Sequence, residues 1–151
     1  MTALAVDPAP PDDALFDRRC AGTDAAVAET LDALQAALAA RLVDPARMGD
    51  LAIVLGEVLN NTVEHAMAGR DDGWIAVAVQ ERGDRLEVLV TDDGRALPPA
   101  LLAGGDAALP EMGDAVEDLP EGGFGWFIIH TLVDDMTYER EDGVNRMSFS
   151  F

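Results

Sequence analysis

Apolar side chains recur at three- and four-residue spacing between residues 45 and 67, which is the period of one face of an α-helix. Asp44 and Pro45 precede this repeat, and aspartate at the cap followed by proline at the first helical position is a strong helix start. The pattern therefore predicts a helix from residue 45 to about residue 67. Its repeating positions are Leu51, Val54, Leu55, Val58 and Thr62.

The remaining pattern predicts two further helices and five strands. A short strand over residues 14–20 precedes an alanine- and leucine-rich helix, capped by Thr23 or Asp24 and running to about Leu42. Two β-rich runs, 74–80 and 85–91, are joined by a short polar turn and predict a hairpin. A third helix is predicted over 124–134, followed by strands over 136–140 and 145–151 that meet at an Asp-Gly turn.

This order of elements predicts an α+β fold rather than a doubly wound parallel one. We expect a two-layer α/β sandwich, in which a mixed, mostly antiparallel sheet is covered on one face by about three helices. A length of 151 residues suits one domain with its own core. Residues 1–13, rich in proline and aspartate, are expected to form a flexible tail before a domain spanning 14–151, and the segment 94–122 is expected to form a lid.

A formal charge of −19 narrows the range of partners. Its field repels a phosphate backbone, so we expect no direct binding of nucleic acid, whereas a basic protein partner is compatible with it. We also expect no membrane span, because no apolar run approaches the ~20 residues that a membrane helix needs. The first residues do not match a signal peptide, and with Cys20 as the only cysteine the chain fits the reducing cytoplasm.

Three polar side chains interrupt the apolar pattern of the helix predicted over 45–67. Glu57, Asn61 and His65 stand at four-residue intervals and so share one helix face. A carboxylate and an amide in line on a packed helix need a wet cavity or a ligand, so they indicate a binding site. Asn60 lies about 100° of helix rotation away, which favours Asn61 as the functional amide. His65 has no second histidine at metal-ligand spacing, so we interpret it as a hydrogen-bonded structural residue.

Two further segments match the needs of a nucleotide. Asp92 ends an apolar strand, where its carboxylate would accept from the amino group of adenine and repel the carbonyl that guanine presents there. Gly94 allows backbone to approach a base edge without a Cβ in the way. Gly123 and Gly125 open the third predicted helix, whose first N–H groups and dipole suit phosphate.

A triphosphate in a chain without lysine needs a metal ion as well as backbone amides. Mg²⁺ prefers hard oxygen ligands and keeps several waters, so the amide oxygen of Asn61 is a reasonable site for it beside the phosphates. Glu57, one turn away, can accept the proton of an attacking hydroxyl or water. The three segments are each weak signals, but together they indicate ATP and Mg²⁺ as ligands.

These motifs, in this order and spacing, resemble those of the GHKL (Bergerat-fold) ATP-binding superfamily. Within that superfamily, the short single-domain form is similar to the bacterial anti-sigma-factor serine/threonine kinases. The resemblance covers roughly residues 15–151. It rests on Glu57 with Asn61 and His65, on Asp92-x-Gly94, on Gly123-x-Gly125 and on the closing segment 145–151.

The resemblance implies a role for each matching position. Glu57 would be the general base of phosphoryl transfer, and Asn61 would be the Mg²⁺ ligand. Asp92 would bind adenine with Gly94 beside it, and the two glycines of the third helix would hold the phosphates under the lid.

The resemblance also implies partners. The substrate would be a serine or threonine on an anti-anti-sigma protein with a STAS domain. The same chain would hold a sigma factor until the unphosphorylated antagonist displaces it, and it would form a homodimer.

Two positions depart from the family pattern. Several of these kinases carry an arginine just before the second glycine motif, directed at the γ-phosphate, whereas Glu121 and Gly122 stand there in this chain. The glycine at position 94 is often repeated two residues on, where this chain has Ala96. These departures leave an alternative open, which is a non-catalytic protein-interaction module of the same fold that senses ATP or ADP.

Overall fold

The structure is a computed structural model that describes residues 14–41, 43–70, 72–98 and 123–151. The predicted tail, and residues 99–122 of the lid predicted over 94–122, lie outside these residues. The described elements are β1 (Phe16–Ala21), α1 (Asp24–Ala40), α2 (Pro45–Asn61), a π-helical turn (Thr62–Met67), β2 (Trp74–Arg82), β3 (Arg85–Asp92), α3 (Gly123–Leu132), β4 (Asp135–Glu141) and β5 (Val144–Ser150). None of the helices in the described ranges is long and apolar enough to cross a bilayer.

The five strands form one sheet in the order β1-β2-β3-β5-β4. Each neighbouring pair is antiparallel, so the predicted α+β sandwich is confirmed. In this order β3 and β5 are central neighbours, and their register sets Asp92 opposite Asn145. The sheet therefore brings Asp92, at the end of β3, beside Asn145, at the start of the closing segment 145–151.

Local turn chemistry explains both predicted hairpins. The β4–β5 connection consists of Asp142 at a φ of 53° and Gly143 at a φ of 78°. Two successive residues with positive φ are typical of the tight turns whose twist matches paired strands. Gly83, at a φ of 64°, takes the corresponding role between β2 and β3.

The core lies between one face of the sheet and the helices. Alternate residues of β2 and β3 are buried there, as the two-residue period of a strand requires. Helix α2 packs against both α1 and α3, so it runs through the middle of the helical layer. Its apolar repeat is confirmed, since the side chains buried on it are Leu51, Val54, Leu55, Val58 and Leu59.

The opposite face of the sheet carries no helix among the described elements. Its strands place small and polar side chains there, including Ala76, Ala78, Thr91 and Ser148. A shallow concavity of about 660 Å³ lies over these residues. Asp92 belongs by alternation to the helical side, so this concavity is separate from the predicted nucleotide site.

Candidate functional site

Asp92 is the last residue of β3 and is only 4% exposed. Its Oδ1 atom accepts a hydrogen bond of 2.8 Å from the backbone N–H of Gly94 and one of 2.9 Å from Nδ2 of Asn145. Its Oδ2 atom receives none of the hydrogen bonds found among the described residues. One oxygen of this carboxylate is therefore used by the protein, and the other remains as an acceptor.

Burial raises the pKa of the Asp92 carboxyl, because removal from water disfavours its charged form. The hydrogen bonds from Asn145 and Gly94 lower that pKa, and the nearby charge of Arg140 lowers it too, while the charge of Asp93 raises it. The net direction is upward, so holding this charge in the folded protein costs free energy. A buried carboxylate retained at such a cost is a candidate functional group.

A cluster on β4 and β5, which we call the polar clamp, surrounds Asp92 and consists of Tyr138, Arg140 and Asn145. The Oδ1 atom of Asn145 accepts from the Tyr138 hydroxyl at 2.6 Å and from Nη1 of Arg140 at 2.8 Å. Arg140 Nη1 also donates to the carbonyl of Gly94 at 2.8 Å. The clamp thus forms hydrogen bonds both with the Asp92 side chain and with the backbone that follows it.

Sequence reasoning missed the polar clamp, apart from including Asn145 in the closing segment. A usable signal existed, because Tyr138 and Arg140 alternate on one face of β4. The two-residue turn then sets Arg140 opposite Asn145 in the hairpin. What the sequence did not supply was the pairing of β5 with β3, which brings the clamp to Asp92.

The π-helical turn connects the end of α2 to the end of β3. The carbonyl of Ala66 accepts from the backbone N–H of Arg95 at 2.9 Å, and the carbonyl of His65 accepts from Nε of Arg95 at 3.1 Å. Nη1 of Arg70 donates to the carbonyl of Asp93 at 3.0 Å. Two motifs that are about 30 residues apart in the sequence are thereby held side by side.

Gly94 has a packing reason that the sequence did not reveal. A Cβ atom added there would lie 2.5 Å from the carbonyl oxygen of Ala66 and 2.7 Å from its Cβ. Any side chain would therefore separate the strand end from the π-helical turn. The predicted role of this glycine beside a bound base stays a prediction.

Asn61 is 3% exposed, whereas the neighbouring Asn60 is exposed. Its Nδ2 donates to the backbone carbonyl of Glu57 at 2.7 Å. Its Oδ1 is buried and has no hydrogen-bond partner among the described residues. Because a buried acceptor without a donor is costly and an amide oxygen is a hard ligand, this atom fits the predicted Mg²⁺ site.

Helix α2 ends earlier than predicted. The α-helix stops at Asn61, and the six residues that follow form the π-helical turn, which ends at Ala68 with a φ of 46°. Glu57, half-buried, and Asn61 share the α-helical face, but His65 lies in the wider turn. Such π-helical segments are often found at functional sites.

His65 differs from its interpretation as a hydrogen-bonded residue. Its Nε2 atom is buried without a hydrogen-bond partner among the described residues, at 3.9 Å from Oε2 of Glu64. The group that is bonded is its backbone carbonyl, through Arg95. Among the described residues, His65 thus contributes to the site through its backbone carbonyl, which accepts a hydrogen bond from Arg95.

Gly123 and Gly125 fall in the first turn of α3, which begins at Gly123. A helix start opened by glycines was the prediction for this segment. The same helix contacts α2, and Ile129 anchors it in the core. The phosphate-binding role assigned to the two glycines stays a prediction.

Comparison with known proteins agrees with the fold and the motifs. The family described as the histidine kinase-like ATPase domain matches residues 20–151. The serine-protein kinase RsbW of Listeria monocytogenes serotype 4a (strain HCC23) is 38% identical over 96 residues, which are 64% of this chain and 60% of that protein. The RsbW of Bacillus mycoides (strain KBAB4) is 33% identical over 97 residues, 64% of this chain and 59% of that protein.

The matched region spans about 60% of the length of these curated relatives. The family match is longer, since it extends over residues 20–151 and so includes strands β2 to β5 together with helices α2 and α3. This protein therefore belongs to the histidine kinase-like ATPase domain family.

Proposed function

We propose that this protein is an ATP-binding anti-sigma regulator of the cytoplasm. It phosphorylates a serine or threonine of an anti-anti-sigma STAS-domain partner and sequesters a sigma factor by partner switching. The observation that carries the proposal is the buried carboxylate of Asp92, which accepts hydrogen bonds from the described residues on one oxygen only. It stands at a strand end that is hydrogen-bonded to the π-helical turn following Asn61. The name of the Listeria and Bacillus relatives, serine-protein kinase, supports the same activity.

Base recognition in this proposal uses Oδ2 of Asp92. The 6-amino group of adenine donates to that oxygen, which receives no hydrogen bond from the described residues. Guanine would direct a carbonyl oxygen at the same carboxylate, and two acceptors facing each other repel. The proposed selectivity for ATP over GTP follows from this single contact.

The proposed metal ligand is Oδ1 of Asn61, the buried acceptor to which no described residue donates. A Mg²⁺ ion held there would neutralise part of the charge on the phosphate oxygens. The hydrogen bond from Nδ2 of Asn61 to the backbone carbonyl of Glu57 fixes the orientation of the amide, so Oδ1 of Asn61 is the atom that would face the metal. Backbone N–H groups at Gly123 and Gly125 are the proposed phosphate donors at the start of α3.

Glu57 is the proposed general base. The hydroxyl oxygen of the partner's serine attacks the γ-phosphorus and forms a new P–O bond, while the bond from that phosphorus to the β–γ bridging oxygen breaks. The hydroxyl proton passes to the Glu57 carboxylate, and ADP departs with the bridging oxygen. Glu57 lies one helical turn before Asn61, so the proposed base and the proposed metal ligand are supported by the same helix.

The test is transfer of radiolabelled γ-phosphate to candidate STAS-domain partners, combined with calorimetry of Mg-ATP binding. We expect Glu57→Gln to reduce transfer by about 100-fold, within the range of a lost general base, while ATP affinity stays nearly unchanged. Glu64→Gln is the matched control, since Glu64 is an exposed glutamate on the π-helical turn. Equal transfer by wild type and Glu57→Gln would remove Glu57 from the mechanism.

A second function, a non-catalytic module that senses ATP or ADP, is favoured by one observation. Glu121 and Gly122 occupy the place where related kinases carry an arginine. For this alternative, the wild type would bind ATP and capture a sigma factor in a nucleotide-dependent way, yet would transfer no phosphate to any STAS-domain partner. The same pair of assays therefore separates the two functions.

A further inference from the structure

The polar clamp takes no part in the proposed phosphoryl transfer. Among the described residues, the hydrogen bonds of its side chains nevertheless all connect to Asp92, to residues 94–97, or to another member of the clamp. The backbone N–H of Leu97 donates to the Tyr138 hydroxyl at 3.1 Å, and Nδ2 of Asn145 donates to the carbonyl of Arg95 at 2.8 Å. The clamp is therefore organised around the strand end that carries the proposed base-recognition residue.

The side-chain amide of Asn145 can adopt only one orientation in this network. Its Oδ1 faces two donors, from Tyr138 and Arg140, and its Nδ2 faces three acceptors, which are the Asp92 carboxylate and the carbonyls of Gly94 and Arg95. A flipped amide would set an oxygen against the Asp92 carboxylate and an NH₂ group against two donors. Asn145 is 2% exposed, so water cannot compensate for that exchange.

This orientation fixes Asp92 in turn. Rotation of its carboxylate out of this plane would leave Asn145 and the backbone of Gly94 without their acceptor, at the cost of two hydrogen bonds inside the protein, while a half turn only exchanges two equivalent oxygens. Oδ1 is thereby committed, and Oδ2 is the oxygen left for a ligand.

We propose that Asn145 is a positioning residue for base recognition. It holds Asp92 so that Oδ2 alone is offered to the 6-amino group of ATP, and Tyr138 and Arg140 hold Asn145 in its single orientation. This inference rests on the proposed ATP-binding function. It adds Asn145, which does not contact the nucleotide but determines how strongly ATP is preferred over a nucleotide without the 6-amino group.

The test compares the affinities of ATP and ITP, because ITP carries a carbonyl where ATP has the 6-amino group. We expect Asn145→Leu to reduce the ratio of ATP to ITP affinity by about tenfold, the equivalent of one well-placed hydrogen bond. The loss falls on ATP, because a freed carboxylate no longer presents one oriented acceptor. Equal weakening of ATP and ITP would identify a merely structural role and overturn the inference.

Tyr138→Phe keeps the test decisive if Asn145→Leu does not fold. It removes one hydroxyl with its bonds to Asn145 and to the backbone N–H of Leu97. Tyr138 is only partly buried, and we expect the ratio to fall by about threefold. Thr137→Val is the matched control. It removes a 2.6 Å hydrogen bond to Ser148 between the same two strands, but on the opposite face of the sheet, and the ratio should not change.

The outcomes separate this inference from the function beneath it. A folded wild type that binds no ATP overturns the proposed function and the inference with it. A wild type that prefers ATP, together with folded Asn145→Leu and Tyr138→Phe variants that keep the wild-type ratio, overturns the inference alone.

Discussion

At the end of β3, Asp92 is surrounded by donors that the protein itself supplies, whereas at the end of α2 Asn61 keeps a buried acceptor that no described residue satisfies. The first region is built from a strand pair, whose donors hold one oxygen of the carboxylate and leave the other for a ligand. The second is built from one helix turn, and no described residue donates to the amide oxygen of Asn61. Under the proposed function, base recognition is organised before the nucleotide arrives, whereas the amide oxygen of Asn61 acquires its partner only when Mg²⁺ and nucleotide bind.

The sharpest way to break this comparison is Asp92→Ala. We expect ATP affinity to fall by about 100-fold, ~2.7 kcal/mol, because a hydrogen bond to a charged group is lost from a desolvated site. Isothermal titration calorimetry measures the loss, and circular dichroism checks the fold. Wild-type affinity in a folded Asp92→Ala variant would remove adenine recognition from this end of the site.

The junction between the two regions is tested by Gly94→Ala. The added Cβ would meet the Ala66 carbonyl oxygen at 2.5 Å, so the strand end and the π-helical turn must separate. We expect the free energy of unfolding to fall by about 2 kcal/mol, as for other overpacked sites. Denaturant unfolding measures this, with Gly49→Ala as the control, because nothing lies within 4 Å of a Cβ at Gly49.

A smaller effect is expected at the metal end, from Asn61→Ala. The variant should lose about tenfold, ~1.4 kcal/mol, of ATP affinity in the presence of Mg²⁺ and almost none in its absence. Asn60→Ala is the matched control, since the neighbouring amide is exposed and off the Glu57 face. An equal loss with and without Mg²⁺ would show that Asn61 does not act through a metal.

The smallest effect is a pH dependence of stability, compared between wild type and Asp92→Asn. Since the pKa of Asp92 is raised on folding, the folded protein binds this proton more tightly than the unfolded chain does. Wild-type stability therefore falls, relative to the variant, as the pH rises above the unfolded pKa of about 3.9 towards the folded pKa, and the difference is constant below that window.

The groups facing Asp92 that enter this balance are Asp93, Arg140, Asn145 and the N–H of Gly94. Thermal unfolding between pH 3 and pH 7 measures the difference in stability between wild type and Asp92→Asn. A constant offset caused by the new amide does not affect how this difference changes with pH. A wild-type stability that rises relative to that of Asp92→Asn as the pH increases would contradict the upward shift of the Asp92 pKa.

Most of the fold could be predicted because its signals are local. The Asp44-Pro45 start, the apolar repeat of α2 and the Asp142-Gly143 turn each act within a few residues, and the structure contains the elements that they predict. Asp92 could be selected as a candidate for a similar reason, since it ends an apolar strand.

The rest depends on contacts between distant residues. The π-helical turn has no separate sequence period, and its carbonyls are fixed by Arg95, about 30 residues further along. The polar clamp reaches Asp92 only because β5 inserts beside β3 in one register. The alternation of Met147 and Phe149 with Arg146 and Ser148 sets which face of β5 is buried, but it does not identify β3 as the neighbouring strand.

The Asp92–Asn145 hydrogen bond also constrains how the protein is made. Its two residues are 53 positions apart, and the strands that carry them are joined through the segment that contains α3 and β4. Closing so long a loop is slow compared with forming a hairpin, so β2–β3 and β4–β5 can pair long before Asp92 meets Asn145. If ATP binds as proposed, it should leave the folding rate nearly unchanged and act by slowing unfolding, because the proposed binding surface is completed only when the central strands meet.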